Sequence, residues 1–447
     1  MFYFMYFILV LSTCFQDIPI LKQMGNYGSS ITSLIMIVFF IIFCFKERKI
    51  KITKEMKPFL FLTLYLMIIN VVYILYMYLT NELEFYSIFL PLKACKGFLY
   101  WVTNVGLLVL LFNLQSKIDE RKMLFPFFFS YLFLFIILII EKFNPHLLDI
   151  FHNTTNYYES FGRIRLLCSE VSNTSTLIFL NYILSIMYIL KYTNFKRFNL
   201  CIITIIFVIF LLTTTSKGMI AAIAISLVVF MFINANLKLK HRIGITALGI
   251  LFLAIFFPKL MILIQKDIRS YTSIATRICM GFSALCVSLK FPFGVGNSYY
   301  IKVYANEIKK NIGFLKRMNS NLNFNEIYNI LASNSEKNLA AKSAFLQYSM
   351  YWGICASICF FNVLFRLYRK LKDNLLIKFG FIFLIVNIVG FIDFDYKYEI
   401  FSYISVVLYY IDNYHKAKEC DIEKDEKIFY NKYPINIMDC SKEKIIS

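Results

Sequence analysis

Charge is scarce in this 447-residue chain: 17% of the residues are charged, 59% are hydrophobic and 18% are aromatic. With a mean hydropathy of +0.64, that balance excludes an ordinary soluble domain, in which about 25% of residues are charged. Apolar runs long enough to cross a bilayer recur from end to end, so the units to count are spans. Histidine is nearly missing. His146, His152, His241 and His415 are scattered, which leaves a zinc site or a Ser-His-Asp triad without support. The 11 cysteines include no CxxC pair, and most lie inside apolar runs, where a thiol acts as a small hydrophobe. Cys355 and Cys359 share a helix face and fit packing, so neither a metal site nor a disulfide framework is expected. The first apolar run begins at Met1 with no basic leader and no small-residue cleavage site before Gln16-Asp17. It reads as a retained helix and not as a signal peptide.

Hydrophobic length predicts twelve spans, at 1–15, 27–45, 58–79, 91–113, 125–140, 173–190, 199–214, 218–235, 243–258, 343–366, 375–392 and 400–414. The expected fold is an all-α polytopic membrane domain over 1–414, followed by a charged tail over 415–447. The net charge of +20 suggests nucleic acid until its positions are read. The loops 46–57, 116–124, 191–198, 236–242 and 366–374 carry 6, 3, 3, 3 and 4 Lys/Arg, against 1, 0 and 1 in 16–26, 80–86 and 393–399. Basic loops stay in the cytoplasm, so both termini are expected inside, and no nucleic-acid partner is implied.

Two outer segments, 141–172 and 259–342, are too long for connectors, and ordered loops of such length usually carry function. The larger holds 12 Lys/Arg against four acids, on the face where the orientation rule does not ask for basic residues. An anionic ligand would explain the excess, and so would a solvated basic face. Within it, Lys266 to Leu289 reads as an amphipathic helix with Ile274, Ile278, Phe282, Leu285 and Leu289 on one side, fit to lie along the outer membrane surface. Arg269 and Arg277, eight positions apart, are about 80° apart around such a helix and can lean to one flank.

Three short stretches carry the candidate chemistry. In FGRIRLLCSEVS, Arg163 and Arg165 point the same way if the segment is extended, and each guanidinium could fork onto a phosphate, with Glu170 the nearby carboxylate. The alternative is an Arg–Glu bridge pinning a loop to a helix end. In LLTTTSKGMI, Lys217 sits in a tight turn beside a helix N-terminus, which suits an anion or simply a snorkelling lysine. In FPFGVGNSYY, Gly294 and Gly296 lack the GxxxxGK[ST] and GxGxxG contexts. What remains is a turn whose glycines let the backbone approach something closely, with Asn297, Tyr299 and Tyr300 offering hydrogen bonds and stacking faces.

Taken in order, Arg163-x-Arg165…Ser169-Glu170-x-Ser172 before a span, Thr215-Ser216-Lys217-Gly218 between spans, and Phe291-Pro292-Phe293-Gly294-x-Gly296 in a large outer loop resemble the O-antigen polymerases. The likeness in topology covers most of the chain, while each motif is short. The resemblance implies a GT-C-like fold in the bacterial inner membrane. It implies an enzyme that acts at the periplasmic face on undecaprenyl-pyrophosphate-linked oligosaccharide among membrane lipids, with a chain-length regulator as partner. No cofactor, metal or nucleotide sugar is implied, because the lipid pyrophosphate is already an activated leaving group, and the sequence has neither a DxD-like metal motif nor a Walker loop. By the same resemblance Glu170, Arg163 and Arg277 are the expected catalytic residues. Arg165, Lys217, Arg269, Gly294, Gly296, Asn297 and Lys342 are the expected substrate-binding ones. Two positions depart from the family: Lys217 stands where Arg is common, and Val171 where Pro often follows the Glu. O-antigen ligases are similar but tend to carry a histidine late in the large outer loop, and 259–342 has none. A lipid-linked oligosaccharide flippase is the rival from another class. Flippases spread basic residues through the membrane cavity, whereas few lie within these spans (Lys93, Lys96, Lys378).

Overall fold

Hydrocarbon offers an unpaired peptide group no hydrogen bond, so a chain this apolar must satisfy its backbone within helices. The computed structural model describes residues 1–18, 30–152, 164–168, 171–214, 216–234, 273–318, 323–333, 339–341, 343–371, 374–390 and 397–432. Among them are 15 α-helices and one two-stranded hairpin. The first half contains α1 (Phe2–Ser12), α2 (Ile31–Lys46), α3 (Lys57–Leu79), α4 (Leu90–Gln115), α5 (Glu120–Phe143), α6 (Val171–Tyr192), α7 (Lys196–Thr214) and α8 (Lys217–Ile233). The second contains α9 (Ser273–Lys290), α10 (Gly296–Met318), α11 (Asn325–Ala332), α12 (Ala344–Trp352), α13 (Ile354–Lys370), α14 (Leu375–Gly390) and α15 (Tyr398–Lys432). The hairpin pairs β1 (Glu84–Phe85) with β2 (Ile88–Phe89) across Tyr86 and Ser87, both at positive φ, the signature of a tight I′-type turn.

Among the described residues five helices are long and apolar enough to cross a membrane: Lys57–Leu79, Leu90–Gln115, Glu120–Phe143, Thr174–Tyr192 and Lys196–Thr214. Four shorter apolar helices accompany them, Phe2–Ser12, Ile31–Lys46, Gly218–Ile233 and Leu375–Gly390. The predicted span 243–258 lies outside the described residues. Burial separates centre from rim: 78% of the apolar window of α6 is inside the bundle but only 22% of that of α3. On α3 the outward residues are Phe61, Leu64, Ile68, Val71, Val72 and Leu75, a surface that only an apolar solvent suits. Both tryptophans of the chain lie inside, Trp101 and Trp352 edge to face at 4.8 Å, with Phe360 and Phe401 around Trp101. Trp101 places its one polar atom on Thr63 Oγ1 at 2.8 Å, as a buried indole N–H requires.

Helix order sets the two ends of the bundle. α5 and α6 run antiparallel, since Glu120 at the start of α5 meets Lys191 (2.5 Å) and Tyr192 (2.8 Å) at the end of α6. α6 and α7 do likewise, with Tyr182 stacked on Phe207. The end holding Glu120 also holds Lys51–Asp412 (2.7 Å), Lys117–Glu47 (3.0 Å) and Lys370–Glu55 (2.8 Å), so the loops rich in Lys and Arg are gathered there and tied by ion pairs. The opposite end collects the exits of α1 and α5 and the starts of α6, α8 and α15.

One expectation is corrected. The span predicted at 343–366 is two helices, α12 and α13, broken at Gly353, which has φ 87 and ψ 156, a conformation open essentially only to glycine. The break is filled by the FPFGVG turn. A Cβ on Gly294 would overlap the Tyr351 carbonyl oxygen and the backbone of Trp352 and Gly353, and one on Gly353 would overlap Pro292, Phe293 and Gly294. Val295 N donates to Met350 O at 2.9 Å, and the Tyr65 hydroxyl donates to Phe293 O (3.0 Å) and Trp352 O (2.9 Å). Carbonyls freed by the break are thus satisfied by another stretch of chain, the condition for irregular backbone inside a membrane bundle. A continuous apolar run gave no sign of it, because the cause lies in the partner turn about 60 positions away.

The backbone lock should dominate stability locally. Gly353→Ala is expected to cost about 3 kcal/mol or more, from a forbidden backbone region plus direct overlap. Gly313→Ala, within α10 and with nothing within 4 Å of its added methyl, should be neutral or stabilising by up to about 1 kcal/mol. Thermal unfolding of the two variants in detergent checks the contrast, and equal melting temperatures would refute the lock.

Candidate functional site

Glu141 lies in the last turn of α5, where the helix dipole disfavours a carboxylate, and it is only 4% exposed. What offsets that cost is a pair of backbone donors: Arg165 N reaches Oε1 at 3.0 Å and Leu166 N reaches Oε2 at 2.7 Å. Leu166 has φ 54, a left-handed conformation that the two bonds help to hold. The turn 164–168 is fixed from other sides as well. Gln16 N donates to Leu167 O (3.0 Å), Cys168 N to Arg165 O (3.1 Å) and Thr174 Oγ1 to Arg165 O (2.6 Å). Residues leaving α1, ending α5 and opening α6 therefore converge on one short loop.

The Arg165 side chain points inward and is 2% exposed. Its Nη1 is 3.6 Å from Asp17 Oδ2, and the same oxygen is 3.4 Å from His152 Nδ1. Beside them Gln16 Nε2 donates to Glu399 Oε2 at 2.8 Å, and buried Lys397 is close enough to Glu399 for their charges to attract. Asp17, Glu141, His152, Arg165, Lys397 and Glu399 are all buried. Among the described residues both ring nitrogens of His152 and Glu399 Oε1 have no hydrogen-bond partner. Three carboxylates, two cations and an imidazole enclosed at one end of an apolar bundle are costly to keep, and such groups mark function by default. Among the described residues no group of three His, Cys, Asp or Glu is arranged to hold a metal ion.

Of the described residues singled out in the sequence, Arg165 is the one that enters this cluster. Arg163, Glu170, Arg269 and Lys342 lie outside the described residues. Lys217 is the first residue of α8, capped by Ser216, whose hydroxyl accepts from Met219 N at 3.4 Å; of its side chain nothing is described. Because α6 and α7 are antiparallel, the α7–α8 turn returns to the end where the cluster lies. Arg277 stands exposed on α9, whose main partners are α10 and α12. Ile278, Leu285 and Leu289 are exposed on the same helix, while the small residues Ala275, Cys279 and Ala284 are buried. Gly294, Gly296 and Asn297 form a packing joint: Asn297 N donates to Asn70 Oδ1 at 2.9 Å, in the middle of α3, and its side chain covers Gly97 of α4.

Asp17, Glu141, His152, Lys397 and Glu399 were missed by sequence reasoning. Position could have found four of them: Asp17 follows the first predicted span, Glu141 ends the fifth, and Lys397 with Glu399 opens the last, all at expected outer ends. His152 carried no local signal.

A second, more exposed contact seats α10 at the same end as β1 and β2. Lys302 Nζ is 2.6 Å from Glu82 Oε1, the Tyr299 hydroxyl donates to Glu82 Oε2 at 2.9 Å, and Tyr299 stacks on Tyr73 at 5.5 Å. The Lys302 ammonium first, then the Tyr299 hydroxyl, hold the Glu82 carboxyl below the usual carboxylate range.

No family model matches the chain, and no solved structure matches it. The chain is similar to a protein of Klebsiella pneumoniae named "Uncharacterized 49.5 kDa protein in cps region", 27% identical over 187 residues, which is 42% of each chain. The chain thus spans less than half the length of the relative it matches.

Two outcomes follow from this geometry. Glu141→Ala strands two buried N–H groups at about 1–3 kcal/mol each, so it should lower the melting temperature in detergent more than Glu141→Gln, whose amide oxygen can still accept one of them. For Glu82 the folded carboxyl titrates below the unfolded one, so its contribution is complete above the ordinary glutamate range and fades as pH falls through the lowered value. Wild type should therefore lose stability relative to Glu82→Gln on acidification; parallel melting curves from neutral to acid pH would refute that pairing.

Proposed function

We propose that this chain is a polytopic membrane glycosyltransferase of the O-antigen polymerase kind. It joins undecaprenyl-pyrophosphate-linked oligosaccharide repeat units into a surface polysaccharide at the periplasmic face of the bacterial inner membrane. The observation that carries the proposal is Arg165, a guanidinium from the family-like FGRIR stretch, buried beside Asp17 and His152 at one end of the bundle. The relative's place in a capsule (cps) region supports the same pathway class. In the proposed arrangement twelve spans form a GT-C-like domain over 1–414, with 141–172 and 259–342 outside and both termini, including the tail 415–447, in the cytoplasm.

The reaction has two electrostatic needs. Negative charge develops on the departing lipid pyrophosphate, and the attacking sugar hydroxyl must lose a proton. Arg163, Arg165 and Arg277 are proposed to face the pyrophosphate, with Lys217, Arg269 and Lys342 as further cationic contacts. Glu170 is proposed as base or as the orienter of an arginine. Gly294, Gly296 and Asn297 act in this scheme by seating α9 and α10 against α3, α4 and α12. A chain-length regulator is a proposed partner.

One observation favours a second reading, a lipid-linked oligosaccharide flippase: the charged groups are enclosed by helices, as in a transport cavity. Deleting the gene and examining the surface polysaccharide separates the two. A polymerase loss leaves a single repeat on the lipid core, a ligase loss leaves polymer off the core, and a flippase loss removes both. Complementation with Arg165→Lys should restore little polymer, because a point charge does not replace a bidentate fork, and Arg165→Ala should lower the rate by about 10²–10³. Full-length ladders in the deletion strain would refute the proposal.

A further inference from the structure

Glycosyl transfer needs a group that can take a hydroxyl proton and release it again, and the buried cluster offers several candidates that differ in what already occupies them. Both oxygens of Glu141 are engaged by the Arg165 and Leu166 amides. Glu399 is held at Oε2 by Gln16 and attracted by Lys397, which leaves Oε1 without a hydrogen-bond partner among the described residues. Asp17 lies between the Arg165 guanidinium and the His152 ring. His152 is 4% exposed, its Nδ1 faces Asp17 Oδ2 at 3.4 Å without a hydrogen bond, and neither ring nitrogen has a hydrogen-bond partner among the described residues, which leaves Nε2 open to a substrate hydroxyl.

That is the arrangement of an oriented base. A carboxylate at Nδ1 favours the tautomer with the proton there and leaves Nε2 as a lone-pair acceptor. The 3.4 Å separation is loose, as contacts between catalytic groups often are before substrate binds. Arg165 reaches the same Asp17 oxygen, so the base and a pyrophosphate-binding cation are positioned by one carboxylate.

We propose that His152 is the general base of this site and Asp17 the residue that positions it, an inference that rests on the glycosyl-transfer reading. The acceptor sugar hydroxyl gives its proton to His152 Nε2 as its oxygen forms a bond to the anomeric carbon of the donor. The bond from that carbon to the pyrophosphate oxygen breaks, and the electron pair leaves with the lipid pyrophosphate. The imidazolium then returns its proton to the departing phosphate or to water. Glu170 is left the role of orienting an arginine.

The test uses membranes of the deletion strain, which accumulate the lipid-linked repeat unit, supplied with purified full-length chain and read as polymer formed per unit of folded protein against pH. Wild type, assayed between about pH 5 and 8, should slow on acidification, because a protonated imidazole has no lone pair with which to take the hydroxyl proton. His152→Gln should polymerise about 10²–10⁴ times more slowly, with that acid limb gone. Asp17→Asn should slow the reaction while keeping a limb at shifted pH, and added imidazole should raise the rate of His152→Ala at least tenfold, which a purely structural histidine would not allow. The other titratable or charged groups of the cluster, Glu141, Arg165, Cys168, Lys397 and Glu399, are intact in the His152 and Asp17 variants, so they cannot account for a limb lost with His152 alone. A His152→Gln rate within tenfold of wild type, or a wild-type rate flat across the interval, overturns the proposal. Should His152→Gln not be recovered folded, the wild-type profile and the imidazole arm decide. Polymer made by His152→Gln but lost with Arg165→Ala would overturn the base alone, whereas full ladders in the deletion strain would overturn the glycosyl-transfer reading itself.

Discussion

Everything in this bundle answers to the need of a backbone amide or carbonyl, removed from water, for a partner. Helices meet it for most of the chain, and the two places where helices fail are the informative ones. At Gly353 the freed carbonyls are taken up by Val295 and Tyr65, and the approach is possible only because Gly294 and Gly353 have no side chains. At Arg165 and Leu166 the freed amides are taken up by a carboxylate, Glu141. The first solution is neutral and packs helices together; the second imports a charge. A single buried carboxylate would be expensive, and the remaining groups of the cluster share a common electrostatic environment with it.

The two ends of the bundle treat charge in opposite ways. Where the basic loops gather, the ion pairs are partly exposed and each contributes about 0–1 kcal/mol. Their role is to tie the Lys- and Arg-rich loops to the helix ends beside them. At the other end the charges are withdrawn from solvent, where breaking a pair costs about 3–5 kcal/mol. A protein selected for stability alone would fill that volume with apolar side chains. Asp17, His152, Arg165, Lys397 and Glu399 stand there instead, at a desolvation cost that apolar packing would not carry.

Much of the fold was legible because it depends on local hydrophobic length. Helices α3 to α7 begin and end within a few residues of the predicted spans, and the turn at Lys217 is where Ser216 and Gly218 suggested. The break at Gly353 was not legible, since a glycine in an apolar run is compatible with a continuous helix until the FPFGVG turn is brought against it. For the site, the FGRIR stretch pointed to Arg165, but not to what surrounds it. Asp17, Glu141, His152 and Glu399 come from four separate segments, and only the antiparallel order of α1, α5, α6 and α15 brings them to one place. The glycines of FGVG were read as a surface for something to approach closely, and what approaches is the chain's own Tyr351–Gly353 backbone.

Glu141 and Arg165 occupy one turn but answer to different demands, which makes the turn informative. Glu141 bonds to main-chain atoms, so its hydrogen bonds do not need an arginine side chain at position 165, although the Arg165 charge also favours its carboxylate. Arg165 makes no hydrogen bond to Glu141 through its side chain; its Nη1 faces Asp17 Oδ2, the oxygen that also faces His152. The fold therefore depends on a carboxylate that does not require an arginine, and the arginine depends on a second carboxylate that the local backbone does not require. An arginine buried under these conditions carries a desolvation cost that the turn itself does not recover, and its charge and planar fork are what the proposed pyrophosphate contact would use.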